Sequence, residues 1–139
     1  MDLRKLLVVA LCLALLVAAT PNAAAYKGHQ LSRNDIVDFT LIDQQGENFT
    51  FSTLDGDVTV VSFIFTSCPD VCHVITQSLR MVQEGLSASD TERVEFVSIS
   101  VDPDRDTPEA LTAYMELHGV DWPHLTGDKE VLADVYRNF

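Results

Sequence analysis

Two runs of eight residues, VTVVSFIF (Val58–Phe65) and VEFVSISV (Val94–Val101), set the architecture of this chain. Both are rich in β-branched and aromatic side chains with little polar alternation, the pattern of a strand buried on both faces. A helical pattern follows each. Between Cys68 and Gly85 the apolar positions Val71, Ile75, Leu79 and Val82 fall at helical spacing, and Gly85 ends the segment. Pro69 suits the first helical position. After the second run, Asp106-Thr107-Pro108-Glu109 opens a helix, with Asp or Thr as cap and Pro in the first turn, which continues to Gly119. Strand–helix–strand–helix order with short connections implies right-handed crossovers and a parallel central pair. Upstream, DFTLID and NFTFS alternate apolar and polar residues around a QQG turn and read as a hairpin. Downstream, the loop DWPHLTG leads to a last helix from near Asp128. The fold class is therefore α/β, a sandwich of helices on a mixed sheet. No Gly or Pro stops the closing VLADVYRNF, and two parallel strands plus a hairpin make a thin sheet, so the fold is expected to continue past Phe139.

The first 25 residues are of another kind. Arg4 and Lys5 precede 14 unbroken apolar residues, Leu6–Ala19, and Ala23-Ala24-Ala25 offers a small-residue cleavage site. This is the layout of a secretory signal. The apolar run is shorter than the about 20 residues of a bilayer span, although retention as a tilted N-terminal anchor is the alternative. Residues 1–25 are thus a signal peptide or membrane anchor, and residues 26–37 are a linker. The domain is expected outside the cytosol, periplasmic or otherwise extracytoplasmic, tethered to the cytoplasmic membrane if the leader is uncleaved. The whole chain carries −12; without the leader, seven basic and 20 acidic residues leave −13. Such a surface argues against nucleic acid, whose binding depends on neutralising phosphates. It argues equally against anionic lipid surfaces.

Cys12 lies within the apolar leader and reads as a small hydrophobe. Cys68 and Cys72 remain, spaced C-x3-C, too few for the disulfide framework of a small secreted fold. Residues four apart on a helix share a face, and a helix start favours thiolates. The pair is then a redox couple, a soft metal site or an inert disulfide. Redox pairs usually read C-x-x-C. The additional residue turns the second sulfur about 100° further round the helix, which chelation tolerates better.

Three segments in order, FTSCPDVC (Phe65–Cys72), SVDPDRDTPEAL (Ser100–Leu111) and WPHLTG (Trp122–Gly127), resemble the Sco/SenC family. The resemblance runs from about Asp38 to the end. These are thioredoxin-like copper proteins that help assemble the dinuclear copper (CuA) centre of cytochrome c oxidase. The resemblance implies that residues 38–139 form part of a thioredoxin-like α/β sandwich, without the family's C-terminal hairpin and helix. It implies a copper ion, Cu(I) or Cu(II), held by Cys68 and Cys72. It implies a metallochaperone rather than a turnover enzyme, whose partner is the copper-bearing oxidase subunit or another copper acceptor protein. The alternative is a thiol–disulfide oxidoreductase that keeps the acceptor's cysteines reduced. The family's third ligand, a histidine on a hairpin near the C-terminus, has no matching segment here. His73 stands where the family commonly has proline.

Other residues read more simply. His73 is expected to face away from Cys72, because successive helical residues diverge by about 100°, while its imidazole makes it a substitute ligand. His124 reads as a packing or surface residue, His118 as a partner of helix-terminal carbonyls, and His29 as part of the linker. Asp102, Asp104, Arg105 and Asp106 form a charged turn and cap, or a surface bordering the copper site. Asp70 suits a helix start. Trp122, Met81 and Met115 read as packing residues. Asn48-Phe49-Thr50 matches a glycosylation acceptor, a pattern with many chance matches.

Overall fold

The computed structural model describes residues 36–139, so the leader, Cys12, His29 and most of the linker lie outside the described residues. Strands β1 (Thr40–Asp43) and β2 (Asn48–Thr50) form the expected hairpin, with Leu41 opposite Phe49. Gly46 turns the chain at φ 82°, a conformation that glycine adopts without a Cβ penalty. The two apolar runs become β3 (Val58–Ile64) and β4 (Val94–Ser100), parallel and in register from Val58 opposite Val94 to Ile64 opposite Ser100. Between them lie α1 (Val71–Gly85) and a short α2 (Ala88–Thr91). Helix α3 (Pro108–His118), strand β5 (His124–Thr126) and α4 (Lys129–Tyr136) complete the chain.

Strand β5 departs from expectation, since the sequence reads there as loop. It has three residues, too few to reveal a period, and follows Pro123. All three are buried, and β5 joins the hairpin to the parallel pair: antiparallel to β1, parallel to β4. The sheet therefore has five strands in the order β2-β1-β5-β4-β3. Among the described residues β3 pairs on one side only. Its burial is accordingly lighter than its composition suggests, whereas the last five residues of β4 are all buried.

One face of the sheet packs Leu41, Val97, Ile99 and Leu125 against Leu132 and Val135 of α4. The other carries α1 and α3, with Phe96, Val120 and Trp122 at one end and Ile64, Leu111 and Tyr114 at the other. Between these clusters the face is polar. Ser62 and Ser98 share a buried hydrogen bond of 2.8 Å across the two strands, and Trp122 Nε1 donates to Ser98 Oγ at 2.9 Å. Each buried hydroxyl is thereby satisfied. This is the thioredoxin-like α/β sandwich expected from the sequence.

The caps follow sequence in one helix and not in the other. Thr107 Oγ1 accepts from the Ala110 N–H, Pro108 is the first helical residue, and Gly119 closes α3 at φ 63°. Thr107→Ala is expected to lower stability by about 1 kcal/mol, the usual worth of such a cap, read as a lower urea midpoint at unchanged slope. In contrast, α1 starts at Val71 rather than at Pro69, with Asp70 as a cap whose side chain makes no capping bond. Most of its apolar stripe also faces outward, while Leu79 packs against the core. Val71, Val74, Ile75, Met81 and Val82 are 38–72% exposed, and only Cys72 and Thr76 are buried. Met81 is therefore not a packing residue, whereas Met115 and Trp122 are. The polar sheet face beneath α1 suits a thiol and a hydroxyl better than a row of valines.

Candidate metal centre

Strand β3 ends at Ile64, and the next six residues carry the chain across the edge of the sheet into α1. Within them, the Phe65 carbonyl accepts from the Cys68 N–H at 3.1 Å, closing a tight turn. Cys68 thus lies before the helix, not in its first turn. Its Sγ accepts from the Cys72 N–H at 3.4 Å, taking the place left by the uncommitted Asp70 side chain at the helix start. Both cysteines are free thiols, each 4% exposed.

The two sulfurs are electrostatically unequal, where the sequence suggested two thiolates alike. The Cys68 pKa is lowered, first by the hydrogen bond from the Cys72 thiol and then by the backbone amides of Asp70, Cys72 and Val71. Helix-start donors converging on sulfur stabilise a thiolate. The Cys72 pKa is raised, first by burial, then by its bond to Cys68 and by the charges of Cys68 and Asp106. Together they present a more acidic thiol beside a less acidic one, both of which a soft cation can deprotonate.

Asp106 is the residue whose importance the sequence conceals. It reads as part of a charged turn or as a cap, yet Thr107 caps α3 and Asp106 is fully buried. Its carboxylate accepts from Thr66 N–H at 3.1 Å, from Thr66 Oγ1–H at 2.6 Å and from Ser100 Oγ–H at 2.6 Å. It ties the end of β4 to the loop two residues ahead of Cys68. The only signal in the sequence is its place directly before a Thr-Pro helix start. Around it the turn is an ion-paired surface that borders the cysteine loop: Arg105 meets Asp102 at 2.8 Å and reaches Ser67 Oγ at 3.5 Å, and Asp104 pairs with Lys129.

His73 makes its ring contact with another histidine. Its ring lies 5.7 Å from that of His118 across the seam between α1 and α3. His118 is 8% exposed, packs on Tyr114 at 4.3 Å, and has its pKa lowered by burial and then by His73. His124 is a core residue: its Nδ1–H donates to the Trp122 carbonyl at 2.9 Å, and Nε2 is buried without a partner. Among the described residues no three His, Cys, Asp or Glu side chains gather into a metal-holding cluster. No helix among the described residues is long and apolar enough to cross a membrane.

Burial holds the His124 pKa at about 4, against 6.5 for an ordinary histidine. The unfolded chain therefore binds the proton first. Stability from this group is full above about pH 6.5 and declines as pH falls toward 4, by about 3 kcal/mol in all. Urea midpoints at pH 7 and 4.5 should fall less in a His124→Gln variant than in the parent. Equal losses would refute a neutral buried imidazole.

Comparison with known proteins places this arrangement. Residues 28–139 match the family model described as SCO1/SenC. A SCO2-like protein of Rickettsia conorii is 38% identical over 104 residues, covering 73% of this chain and 49% of that protein. ScoI of Bradyrhizobium japonicum, solved with copper bound, superposes with a TM-score of 0.61 at 35% identity, over 73% of this chain and 64% of that one. BsSco, a member of the Sco family of cytochrome c oxidase assembly proteins in which a disulfide switch was identified, gives 0.62 at 28% identity, over 74% and 60%. The chain spans about half the length of the curated relatives it matches. On the extent of the family match and the identity to its relatives, this chain belongs to the SCO1/SenC family.

Proposed function

We propose that this protein is a copper carrier of the extracytoplasmic space, which binds Cu(I) through Cys68 and Cys72 and passes it to the cysteines of a CuA-type acceptor in cytochrome c oxidase. The observation that carries the reading is the free thiol pair, more than nine-tenths buried, with the Cys72 N–H donating to Cys68 Sγ at a helix start. Two soft sulfurs suit Cu(I), which accepts low coordination numbers. The copper-bound relative supports the choice of metal, and the oxidase-assembly relative supports the acceptor. A two-sulfur site leaves room for a third donor. An acceptor thiolate can join the copper before either cysteine of the donor leaves, so that transfer proceeds by ligand exchange without free ion. The apolar leader, Leu6–Ala19, would direct or tether the domain on the same side of the membrane as such an acceptor.

A second reading has its own support. The two thiols are hydrogen-bonded neighbours, and a disulfide switch was identified in BsSco. The pair could then reduce an acceptor disulfide: the Cys68 thiolate attacks, a mixed disulfide forms, and Cys72 resolves it, leaving two acceptor thiols and an oxidised donor. One experiment separates the two. The reduced chain, with and without one equivalent of Cu(I), is mixed with a CuA domain whose cysteines are either reduced or oxidised. The carrier reading expects copper to move to the reduced acceptor. Copper that stays on the donor, with rapid copper-free reduction of the oxidised acceptor, would replace it by the reductase.

A further inference from the structure

Helix α1 carries Cys72, yet apolar packing anchors little of it. Val71, Val74, Ile75, Met81 and Val82 face outward, Leu79 packs against the core, and only Cys72 and Thr76, four residues apart on one row, are buried. The place of α1 in the domain therefore depends on side-chain bonds to its surroundings. Gln77 and Arg80 donate to the His118 carbonyl at 3.0 and 3.3 Å in a part-buried setting, and Gln83 donates to Asp121 at 3.0 Å on the surface. Deeper in, the hydroxyls of Thr76 and Tyr114 share a hydrogen bond of 2.8 Å, with the two residues 1% and 4% exposed. Among the described residues it is the one fully buried side-chain bond from α1 to another helix. Tyr114 also reaches the opposite end of the cysteine segment, because its ring packs with Leu111 and with Ile64, the last residue of β3. The loop that carries Cys68 leaves the sheet at Ile64 and enters α1 at Val71, so Tyr114 touches the chain on both sides of it. From these observations we infer that Tyr114 is a positioning residue of the dithiol, a strut that acts through Thr76 to hold Cys72 Sγ beside Cys68 Sγ.

A bond between two buried hydroxyls suits that task. Its length and direction are narrowly set, whereas apolar contacts let a helix slide or roll. Threonine is stiff at χ1, so Thr76 passes the constraint directly to the backbone of α1. Neither hydroxyl can leave the other without losing its partner in the interior, which is costly. The Tyr114 pKa is raised, first by burial and, beyond the opposing Thr76 bond, by the charges of Cys72, Cys68 and Asp106, so its hydroxyl lies within electrostatic reach of both sulfurs. Asp106 already ties the loop ahead of Cys68 to β4 through Thr66 and Ser100. Asp106 thus fixes the Cys68 side of the pair and Tyr114 the Cys72 side. The inference rests on the proposed function only in taking the dithiol as the working site.

The test separates positioning from stability. In the full chain with Cys12 replaced by serine, Tyr114→Phe removes only the phenolic hydroxyl, and Thr76→Val removes its partner at nearly the same size. Each alone leaves one buried hydroxyl unpaired. The double variant leaves none and should regain most of the urea midpoint that either single variant loses. Two readouts follow the sulfurs. The first is the metal-free equilibrium with glutathione, in which the dithiol and one oxidised glutathione give the Cys68–Cys72 disulfide and two reduced glutathiones. Tyr114→Phe and the double variant should both lower its equilibrium constant about tenfold, a rise of about 30 mV in the reduction potential of the pair. The second is Cu(I) affinity by chelator competition, which should fall about tenfold in both, the low end of the loss typical of an outer-shell partner. A purely structural role would instead return both readouts to the parent values in the double variant. That return, or a glutathione equilibrium constant in Tyr114→Phe within threefold of the parent's or above it, would overturn the strut. A parent that bound no copper would defeat the carrier reading alone, with the glutathione equilibrium left to decide the strut.

Discussion

Replacing either Cys68 or Cys72 by serine is expected to lower Cu(I) affinity by more than about 100-fold, beyond the 10–100-fold typical of losing an outer-shell partner. A hydroxyl is a hard donor that Cu(I) binds poorly, and a single remaining sulfur cannot chelate. The two variants should differ in how they fail. Cys68 sits in front of the helix-start amides and takes the Cys72 N–H at 3.4 Å. A serine there still offers an oxygen to that N–H and spares the fold. Cys72 is buried against the domain with its thiol turned to Cys68. A serine in its place keeps the size but puts a hydroxyl into the same buried position. Competition titration against a Cu(I) chelator under reducing conditions measures both. Affinity within threefold of the parent in either variant would remove that cysteine from the site.

The second large effect belongs to Asp106. Asp106→Ala leaves the Thr66 amide, the Thr66 hydroxyl and the Ser100 hydroxyl without their acceptor in a buried setting. Unsatisfied buried donors cost about 1–3 kcal/mol each. With partial relaxation the loss should be about 3–5 kcal/mol, a large part of the about 5–15 kcal/mol available to a domain. Asp106→Asn keeps one carbonyl oxygen for Thr66 and removes the charge that opposes ionisation of Cys72. It should recover much of the stability while easing deprotonation of Cys72. Urea unfolding separates the two variants, and thiol reactivity against pH follows the cysteine. If Asp106→Ala were as stable as the parent, the carboxylate would not be what holds the cysteine loop to β4.

How much of this was readable in advance depended on the length of each pattern. The runs at Val58 and Val94 are long and compositionally extreme, so strands, parallel pairing and the helix after each were legible. So was α3, because Thr107, Pro108 and Gly119 each have a local physical role at a helix end. Strand β5 was not, since three residues after a proline have no period to detect, and its role as the bridge between hairpin and parallel pair is set by tertiary pairing. The spacing of Val71, Ile75 and Val82 marked a helix but not the face it buries. Burial there follows the row of Ser62, Ser98 and Ser100 beneath it, which is set by the pairing of β3 with β4. Around the cysteines, the spacing identified the pair, and the resemblance to Sco/SenC proteins assigned it to copper. Sequence distance could not disclose that Cys68 lies outside the helix, that the sulfurs differ in acidity, or that Asp106 reaches back to Thr66 across 40 residues.

Copper K-edge absorption spectroscopy of the reduced, Cu(I)-loaded chain reads the donor atoms themselves. Cys12 would be replaced by serine throughout, so that every sulfur counted belongs to Cys68 or Cys72. The proposed function expects one copper per chain with two sulfur neighbours in this parent, and one sulfur neighbour or no retained copper once Cys72 is also replaced. A copper bound only through nitrogen or oxygen, or a sulfur count unchanged by the loss of Cys72, would contradict it.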